Sequence, residues 1–478
     1  MLVLFIILGL IVLLLAVILI RTAMFKPKDK GEKTFEEVEF DREKVVSNLQ
    51  KLVRCKTVSR ASHDLEDEAE FQKLIDLLPE LYPNVYGTCT LTKMEDRGLL
   101  YCWKGKNQGN PAVLMAHYDV VPVVEENWTK PAFEGLIEDG ILWGRGSVDT
   151  KISFNGVLSA ADHLIAEGFT PENDIYFAFS GGEEVNGDGA VHIVDWFEKN
   201  GITPELVVDE GGAVVENMFP GVTVPCGLIG IAEKGMMNIR YDVKSSGGHA
   251  SAPAPHTPVG VLSMACSKVE AHPFKMHITK PVAEMFDTLG RHSNFVYRMI
   301  FANLWCFKGV LNGICKKSGG TMNALMRTTV AFTQMQGSDA SNVIPPSASM
   351  VSNIRLNPED TLDSALSYIK KVIGDDNVDV SMMMGMNPSR ISDTDCIGWK
   401  RVTAAVEGTW QGCITAPYLM VQCSDSRHYG RISDRVYRFS AADLKDDERS
   451  SIHGNDEHIR VEAVKHAAEF YIRLMKMC

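Results

Sequence analysis

The sequence predicts an α/β protein with a mostly parallel sheet covered by helices on both faces, and with a smaller α+β domain inserted into it. Two observations lead to this prediction. Short apolar runs alternate with helical apolar stripes over residues 39–232 and again over residues 389–478, which is typical of parallel strands joined by crossover helices. Residues 233–388 instead contain strands that alternate apolar and polar residues, which is typical of an antiparallel sheet with one solvated face.

Three short apolar runs are predicted to be buried strands of the parallel sheet: residues 112–116 (AVLMA), 174–180 (DIYFAFS) and 205–208 (ELVV). Apolar residues at helical spacing predict helices at residues 45–53, 71–78, 157–165 and 191–196. Pro79 is expected to stop the second of these helices, because proline interrupts helical hydrogen bonding. The chain is predicted to end in an amphipathic helix over residues 461–475.

Within residues 233–388 the predicted order of elements is β-α-β-β-α-β, a ferredoxin-like arrangement with helices on one face of a small sheet. These elements are expected near residues 238–243, 259–271, 328–334, 350–356, 362–373 and 378–383. The stretch before the second strand cannot be assigned. Its residues 283–310 are unusually apolar, which favours a core or a dimer interface; a groove for a long acyl chain is the alternative.

Residues 1–20 are an uninterrupted apolar run without a charge or a proline. As a helix they would span ~30 Å, the thickness of a bilayer core. The run starts at the first residue and is longer than a signal peptide requires, so residues 1–22 are predicted to be an uncleaved transmembrane anchor that contacts the lipid bilayer. Residues 23–38 are predicted to be a linker. Five basic and two acidic residues at 21–33 predict a cytoplasmic catalytic body by the positive-inside rule.

The composition excludes other classes of protein. The 478 residues carry a net charge of −13, and without a basic surplus a nucleic-acid partner is not expected. The 11 cysteines are an odd number and form no CxxC pair, which favours free thiols in a reducing compartment over disulfides or a cysteine-ligated zinc.

Ionisable side chains follow the carboxyl ends of the predicted strands, where open α/β sheets bind ligands. These side chains, together with one aspartate before the 157–165 helix, are His117, Asp119, Asp149, Glu183, Glu184, Asp209 and Glu210. Taken alone, Asp149 is a typical helix N-cap and the Glu183-Glu184 pair is a typical solvated turn. Taken together, the carboxylates would raise one another's pKa unless a cation neutralised them. A histidine with carboxylates and no thiolate suits zinc in a hydrolytic site.

Seven segments then occur in order along the chain: AVLMAHYDVVPV, WGRGSVDTK, GGEEVNGDGA, VVDEGG, SSGGHASAP, NVIPP and SIHGNDE. Together they resemble the two-zinc amidohydrolase and peptidase family of carboxypeptidase G, aminoacylase and carboxypeptidase S. The resemblance covers residues 40–475 and is nearest to the branch of carboxypeptidase S and the N-fatty-acyl-amino-acid hydrolases, which includes a secreted enzyme. A lumenal or extracellular body is therefore the alternative to a cytoplasmic one.

The resemblance implies two divalent metal ions, most typically Zn²⁺, held by His117, Asp149, Glu184, Asp209 and His453. Asp149 would bridge the two ions. His117 and Asp209 would complete one site, and Glu184 and His453 the other. His458 is the alternative to His453, and the HG context favours His453. Two metals that share a carboxylate can hold a water and polarise a carbonyl group. The resemblance also implies a cis peptide bond between Asp149 and Thr150.

The same resemblance implies roles for further residues. Glu183 matches the general base, and Asp119 matches the residue that orients the His117 imidazole. His249 matches a histidine that stabilises the oxyanion, often from a partner subunit, which makes the inserted domain a lid and dimerisation domain and implies a homodimer. The residues that match substrate-contacting positions are Asn342, Arg355 and Arg427.

These observations predict a membrane-anchored, zinc-dependent amide hydrolase that acts on small substrates with a free carboxylate. N-acyl amino acids, or short peptides cut from the C-terminal side, fit this description. A dipeptidase or an aminopeptidase is an alternative, and a zinc-bearing binding module without catalysis is an alternative of a different class. The complete set of ligands and the presence of Glu183 favour an enzyme.

Overall fold

The computed structural model describes residues 1–28 and 35–478, so residues 29–34 of the predicted linker, with their Lys30 and Lys33, lie outside the described residues. The described α-helices are α1 (Leu2–Met24), α2 (Arg42–Val53), α3 (Glu68–Leu81), α4 (Pro83–Thr88), α5 (Lys151–Ala166), α6 (Gly189–Lys199), α7 (Pro258–Ala271), α8 (Lys280–His292), α9 (Phe295–Ala302), α10 (Leu304–Ser318), α11 (Gly320–Met326), α12 (Leu362–Ile373), α13 (Ile397–Thr409), α14 (Asp446–Ser451) and α15 (Val461–Met475).

The described strands are β1 (Thr90–Lys93), β2 (Leu99–Trp103), β3 (Asn107–His117), β4 (Leu136–Glu138), β5 (Ile141–Trp143), β6 (Asn173–Ser180), β7 (Leu206–Val215), β8 (Cys226–Glu233), β9 (Gly235–Lys244), β10 (Gly248–His249), β11 (Thr329–Gln336), β12 (Val343–Ile344), β13 (Ser347–Leu356), β14 (Asp379–Met386), β15 (Ile414–Met420), β16 (Val436–Leu444) and β17 (His458–Arg460).

Eight strands form the larger sheet, in the order β1-β2-β6-β3-β7-β16-β8-β15. The central strands β6, β3, β7 and β16 run parallel to one another, and β15 runs parallel to β8. Strand β2 is antiparallel to β6, and β8 is antiparallel to β16. The three predicted apolar runs lie in β3, β6 and β7. Alternate side chains of β3 enter two different cores, because successive side chains of a strand point to opposite faces. Leu114 packs with α5 and α15, and Val113 packs with α6, so helices cover both faces as predicted.

The smaller sheet has four antiparallel strands in the order β11-β13-β9-β14. Helices α7 and α12 pack against it through a separate core that contains Ile239, Leu262 and Ile369. The chain order of these elements is β9-α7-β11-β13-α12-β14, which confirms the predicted β-α-β-β-α-β arrangement.

The stretch that the sequence could not assign forms four helices, α8 to α11. Helix α8 packs against β15 of the larger sheet, and Met285, Phe286 and Phe301 belong to the core of the larger domain. Phe295 and Trp305, in contrast, are exposed. The apolar stretch at 283–310 is therefore partly core of the larger domain and partly surface.

One predicted helix end is wrong. Helix α3 continues through Pro79 and ends at Leu81. Proline removes one hydrogen-bond donor, and so close to the end of a helix this loss affects only the last turn. A second proline, Pro83, then begins α4, where its missing N–H would have had no helical partner.

The structure pairs none of the eleven cysteines in a disulfide, in agreement with the predicted free thiols. Within the described part of the chain, α1 is the one helix that is long and apolar enough to cross a membrane.

Candidate metal centre

The carboxylate of Asp149 lies between two histidines. His117 is the last residue of β3, and Asp149 lies just before α5. Asp149 Oδ1 is 3.1 Å from His117 Nε2, and Asp149 Oδ2 is 3.0 Å from His453 Nε2. His453 Nε2 is also 3.1 Å from Glu184 Oε2. Each oxygen of one carboxylate thus faces a different imidazole, as a carboxylate that bridges two cations would. The peptide bond after Asp149 is cis, as the resemblance implies.

The structure separates the two candidate histidines near the C-terminus. His453 faces Asp149 and Glu184. His458 instead lies in β17, where its Nδ1 is 2.8 Å from the carbonyl oxygen of Asp456 and its ring is 4.6 Å from the ring of Trp143. The geometry therefore favours His453, in line with the prediction from the HG context.

At β7 the structure places a different carboxylate in the cluster from the one that the sequence suggested. Glu210 Oε2 is 3.5 Å from His117 Nε2. Asp209 Oδ2 instead accepts a 2.9 Å hydrogen bond from the backbone N–H of Ser426. Neighbouring residues of a strand point in opposite directions, so one of the two faces His117 and the other does not. The geometry thus favours Glu210 over Asp209, the ligand that the resemblance implied.

Asp119 holds the turn that carries the two adjacent glutamates. Its carboxylate accepts 3.2 Å hydrogen bonds from the backbone N–H groups of Glu183 and Glu184, and a 2.7 Å bond from the hydroxyl of Ser59. His117 Nδ1 is 3.3 Å from Asp119 Oδ1 and 3.0 Å from its carbonyl oxygen. Asp119 therefore lies where it can fix the orientation of the imidazole, as expected.

The electrostatics of the cluster favour a cation. Burial, followed by the negative charge of Glu210, raises the pKa of Glu183 well above its usual range. Burial also raises the pKa of Glu210, to about 8. Among the described residues no donor reaches the buried Glu184 Oε1. Two triads bring their ligand atoms within 4.8 Å of one another, His117-Asp149-Glu184 and His117-Glu183-Glu210. A nitrogen and oxygen donor set without thiolate fits a divalent ion such as Zn²⁺.

Glu457, a buried residue just before β17, is a further member of the site that the sequence did not predict. Its carboxylate accepts hydrogen bonds from the backbone N–H groups of Gly146, Val148 and Asp149, and from the guanidinium of Arg145 at 2.6 Å. It therefore fixes the turn that carries Asp149. An acidic pair after SIHGN has the pattern of a solvated loop, so the sequence offered no signal for this role.

The predicted substrate contacts lie in three places. Arg427 is next to the cluster, where its Nη2 donates to Asn186 Oδ1 at 3.2 Å. Arg355 lies on β13 with its Nη1 3.4 Å from Cys423 Sγ. His249 lies in β10 and Asn342 just before β12, on an exposed ribbon of the inserted domain where the carbonyl of Asn342 accepts from the N–H of Ala250.

Comparison with known proteins agrees with this geometry. The profile described as Peptidase family M20/M25/M40 matches residues 113–477. A probable carboxypeptidase S-like protein from Dictyostelium discoideum is 33% identical over 440 residues, covering 90% of this chain and 84% of the relative. The N-fatty-acyl-amino acid synthase/hydrolase PM20D1 of Xenopus tropicalis is 32% identical over 477 residues, covering 98% of this chain and 93% of the relative.

Among solved structures, the M20 family metallo-carboxypeptidase Sso-CP2 of Sulfolobus solfataricus has a TM-score of 0.65 at 17% identity, covering 91% of this chain and 99% of its own. At that identity the likeness concerns the fold, which is the same two-part architecture. The profile match over most of the chain carries the assignment to a family. The chain belongs to the peptidase family M20/M25/M40 and is an amide hydrolase of that family.

Proposed function

We propose that this protein is a membrane-anchored amide hydrolase with two metal ions, most suitably Zn²⁺, and that it acts on small substrates with a free carboxylate. The proposed substrates are N-acyl amino acids and short peptides cut at their C-terminal residue. The names of the two relatives support this class, since a carboxypeptidase and an N-fatty-acyl-amino acid hydrolase both cleave an amide bond to an amino acid.

The position of Asp149 between two imidazoles is the observation that carries the proposal. Asp149 would bridge the two ions. His117 and Glu210 would complete one site, and His453 and Glu184 the other, with Glu210 in place of Asp209. When bound, the ions would polarise the scissile carbonyl and make a water more acidic.

Glu183 is proposed to move the proton. Its side chain is half-buried beside the cluster, and its backbone N–H donates to the carboxylate of Asp119. Its carboxylate lies within 4.8 Å of ligand atoms of His117 and Glu210, where it can take a proton from the attacking water and return it to the leaving nitrogen. The triad His117-Glu183-Glu210 also puts Glu183 within reach of a metal ion, so its role as base and not ligand needs a direct test.

Arg427 is proposed to bind the substrate carboxylate. It lies beside the turn of Glu184, and among the described residues no acceptor reaches its buried Nε. A guanidinium with a free donor can bind a carboxylate through two parallel hydrogen bonds. Arg355, Asn342 and His249 are proposed as further contacts. Because His249 and Asn342 lie on an exposed ribbon, a homodimer in which this ribbon reaches the partner's site is the proposed arrangement.

Contacts of α1 support an uncleaved anchor over a signal peptide. Ile18 and Thr22 of α1 are buried against the body of the protein. The amide of Asn303 donates to the carbonyl of Ile18 and to the hydroxyl of Thr22, both at 3.2 Å. Removal of this segment would take away two of the three acceptors of this amide and leave it the carbonyl of Met299. The basic flank supports a cytoplasmic body, and protease added to intact cells should therefore leave the body undigested.

Turnover of matched substrates tests the proposal. Purified protein with Zn²⁺ is given N-acyl amino acids, the same compounds with the carboxylate blocked as an amide, and dipeptides. We expect kcat/KM to be about 10–100-fold higher for the free carboxylate, since a charged hydrogen bond is worth about 1.5–3 kcal/mol. Turnover of dipeptides alone would favour a dipeptidase. Failure to turn over any compound would favour a binding module.

A further inference from the structure

The last turns of α1 are attached to the helices that follow α8. Asn303, between α9 and α10, donates to α1 as described above, and the guanidinium of Arg21 donates to the carbonyl of Ala302 at 3.1 Å. Ile18 and Thr22 are 5% and 1% exposed, whereas most of the apolar residues before them are exposed. The body of the protein therefore contacts one face of α1 from Ile18 onwards, while Leu19, Ile20 and Met24 remain exposed.

The length of α1 before its first contact with the body constrains where the body lies. Leu2 to Val17 comprises 16 residues, or roughly 24 Å of helix, which is shorter than the ~30 Å hydrocarbon core of a bilayer. If α1 spans the membrane, the residues near Ile18 must still lie at the depth of the acyl chains or at their boundary. The helices that cover Ile18 must then lie at the membrane surface too.

The surface of α9 and α10 has the composition that such a position requires. Large apolar side chains point outward from both helices, with exposed fractions of 56% for Phe295, 60% for Val296, 58% for Trp305, 58% for Val310 and 55% for Ile314. An aromatic residue such as Trp305 is favoured at the boundary between acyl chains and headgroups.

The charge around these helices is opposite to that of the whole protein. Residues 288–338 contain six Lys or Arg residues and no Asp or Glu, in a chain whose net charge is −13. Three of the basic residues, Lys308, Lys316 and Lys317, are exposed on α10. A positively charged surface that also exposes apolar side chains suits a membrane with anionic lipids, because the charges bind headgroups while the apolar groups enter the acyl region.

We infer that α9 and α10 form a second membrane contact, a docking surface on which the body rests against an anionic bilayer beside the transmembrane helix. This inference rests on the proposed membrane anchoring. It would place the hydrolase where substrates with lipid-like acyl groups partition.

Photo-crosslinking in a bilayer tests the docking surface. The full chain is reconstituted in vesicles of phosphatidylcholine with roughly one third phosphatidylserine. Benzoylphenylalanine replaces one residue at a time: Val310 or Ile314 on α10, Leu15 on α1, and Met383 on β14. Met383 is a matched control, because it is apolar and 57% exposed, against 58% for Val310, and belongs to the inserted sheet. Lipid adducts are counted by mass spectrometry after irradiation.

We expect adducts at positions 15, 310 and 314, with a yield at 310 at least about fivefold above that at 383. Adducts at 15 with a yield at 310 no higher than at 383 would overturn the docking surface and leave the anchor in place. Crosslinks between two protein chains at 310, without lipid adducts, would show that a second copy covers this surface and would overturn the inference. A lack of adducts at 15 would refute the anchoring and the inference together.

Discussion

The carboxylate of Glu457 lies 3.1 Å from the backbone nitrogen of Asp149, so that a residue near the C-terminus fixes the turn on which the proposed metal bridge depends. The same carboxylate binds Arg145, and both side chains are almost completely buried. Glu457 is four residues from His453. One buried group thus holds the segments of Asp149 and His453 together.

Replacing Glu457 with Gln should destabilise the fold and weaken metal binding. The variant leaves the buried guanidinium of Arg145 without its counter-ion, and breaking a buried pair on one side costs about 3–5 kcal/mol. Urea unfolding measures the loss of stability, and elemental analysis measures the metal content. Glu462→Gln is the matched control, because Glu462 forms salt bridges at the surface and its side chain is 54% exposed. Its replacement should lower the free energy of unfolding by less than about 1 kcal/mol. Equal effects of the two substitutions would show that Glu457 has no special role.

Glu210 and Asp209 provide a paired test of the ligand assignment. Glu210→Gln should reduce the metal content by about one equivalent, because Glu210 faces His117 and a neutral amide is a poor ligand for Zn²⁺. Asp209→Asn should keep both metals, because its carboxylate binds the N–H of Ser426. Elemental analysis of both variants after identical metal loading decides between them. The reverse result would restore Asp209 as the ligand.

Substitutions of the adjacent residues Glu183 and Glu184 should have different effects on metal content. Glu183→Gln should keep both metals and lower kcat by about 10²–10⁴-fold, the range expected for loss of a general base, with little change in KM. Glu184→Gln should lose metal, because Glu184 shares His453 with Asp149. Rates and metal content are measured on the same samples. A full equivalent of metal lost from Glu183→Gln would make Glu183 a ligand.

The stability of the fold should rise with pH near neutrality through Lys234. Its ammonium is buried and donates to the carbonyls of Ala324 and Arg327, both at 2.8 Å. Burial, followed by the charge of Arg355, lowers the pKa of Lys234 to about 7. Above this pH the unfolded chain binds a proton that the folded chain does not, so the free energy of unfolding should rise by about 1.4 kcal/mol per pH unit.

The window for this measurement is pH 7.5–8.5, roughly, because above it the unfolded chain loses the protons of cysteines such as Cys226, whose pKa burial raises in the folded state. As the pH rises, the loss of those protons from the unfolded chain lowers the free energy of unfolding. Urea unfolding of the wild type and of Lys234→Met isolates the contribution of the lysine. The slope for the variant should be lower by about 1.4 kcal/mol per pH unit, and equal slopes would refute the prediction.

Much of the architecture could be predicted because its signals are local. The β3, β6 and β7 runs are mainly apolar where they are buried, and the terminal helix has the bounds that its periodicity predicts. The apolar helix α8 could not be placed, because its burial depends on β15, which begins more than 120 residues further along the chain. A local pattern of apolar residues does not indicate which distant element a helix will pack against.

Part of the candidate site could likewise be predicted from the sequence, and part could not. His117 and Asp149 follow from strand ends and motifs, but the choice between Asp209 and Glu210 depends on which way each side chain points in the middle of β7. Glu457 was missed because its four donors come from residues 145–149, which only the folded chain brings near it. Local patterns predict which residues are present, and tertiary contacts decide which of them face one another.

The metal content of the wild type and of Asp149→Asn tests the central claim most directly. The full chain is loaded with Zn²⁺, freed of excess metal and measured by elemental analysis, with Asp195→Asn as a control at an exposed aspartate. A carboxylate that bridges two ions predicts about two equivalents in the wild type and the control, and fewer than about one in Asp149→Asn. Two equivalents retained by Asp149→Asn, or a single equivalent in the wild type, would contradict the account.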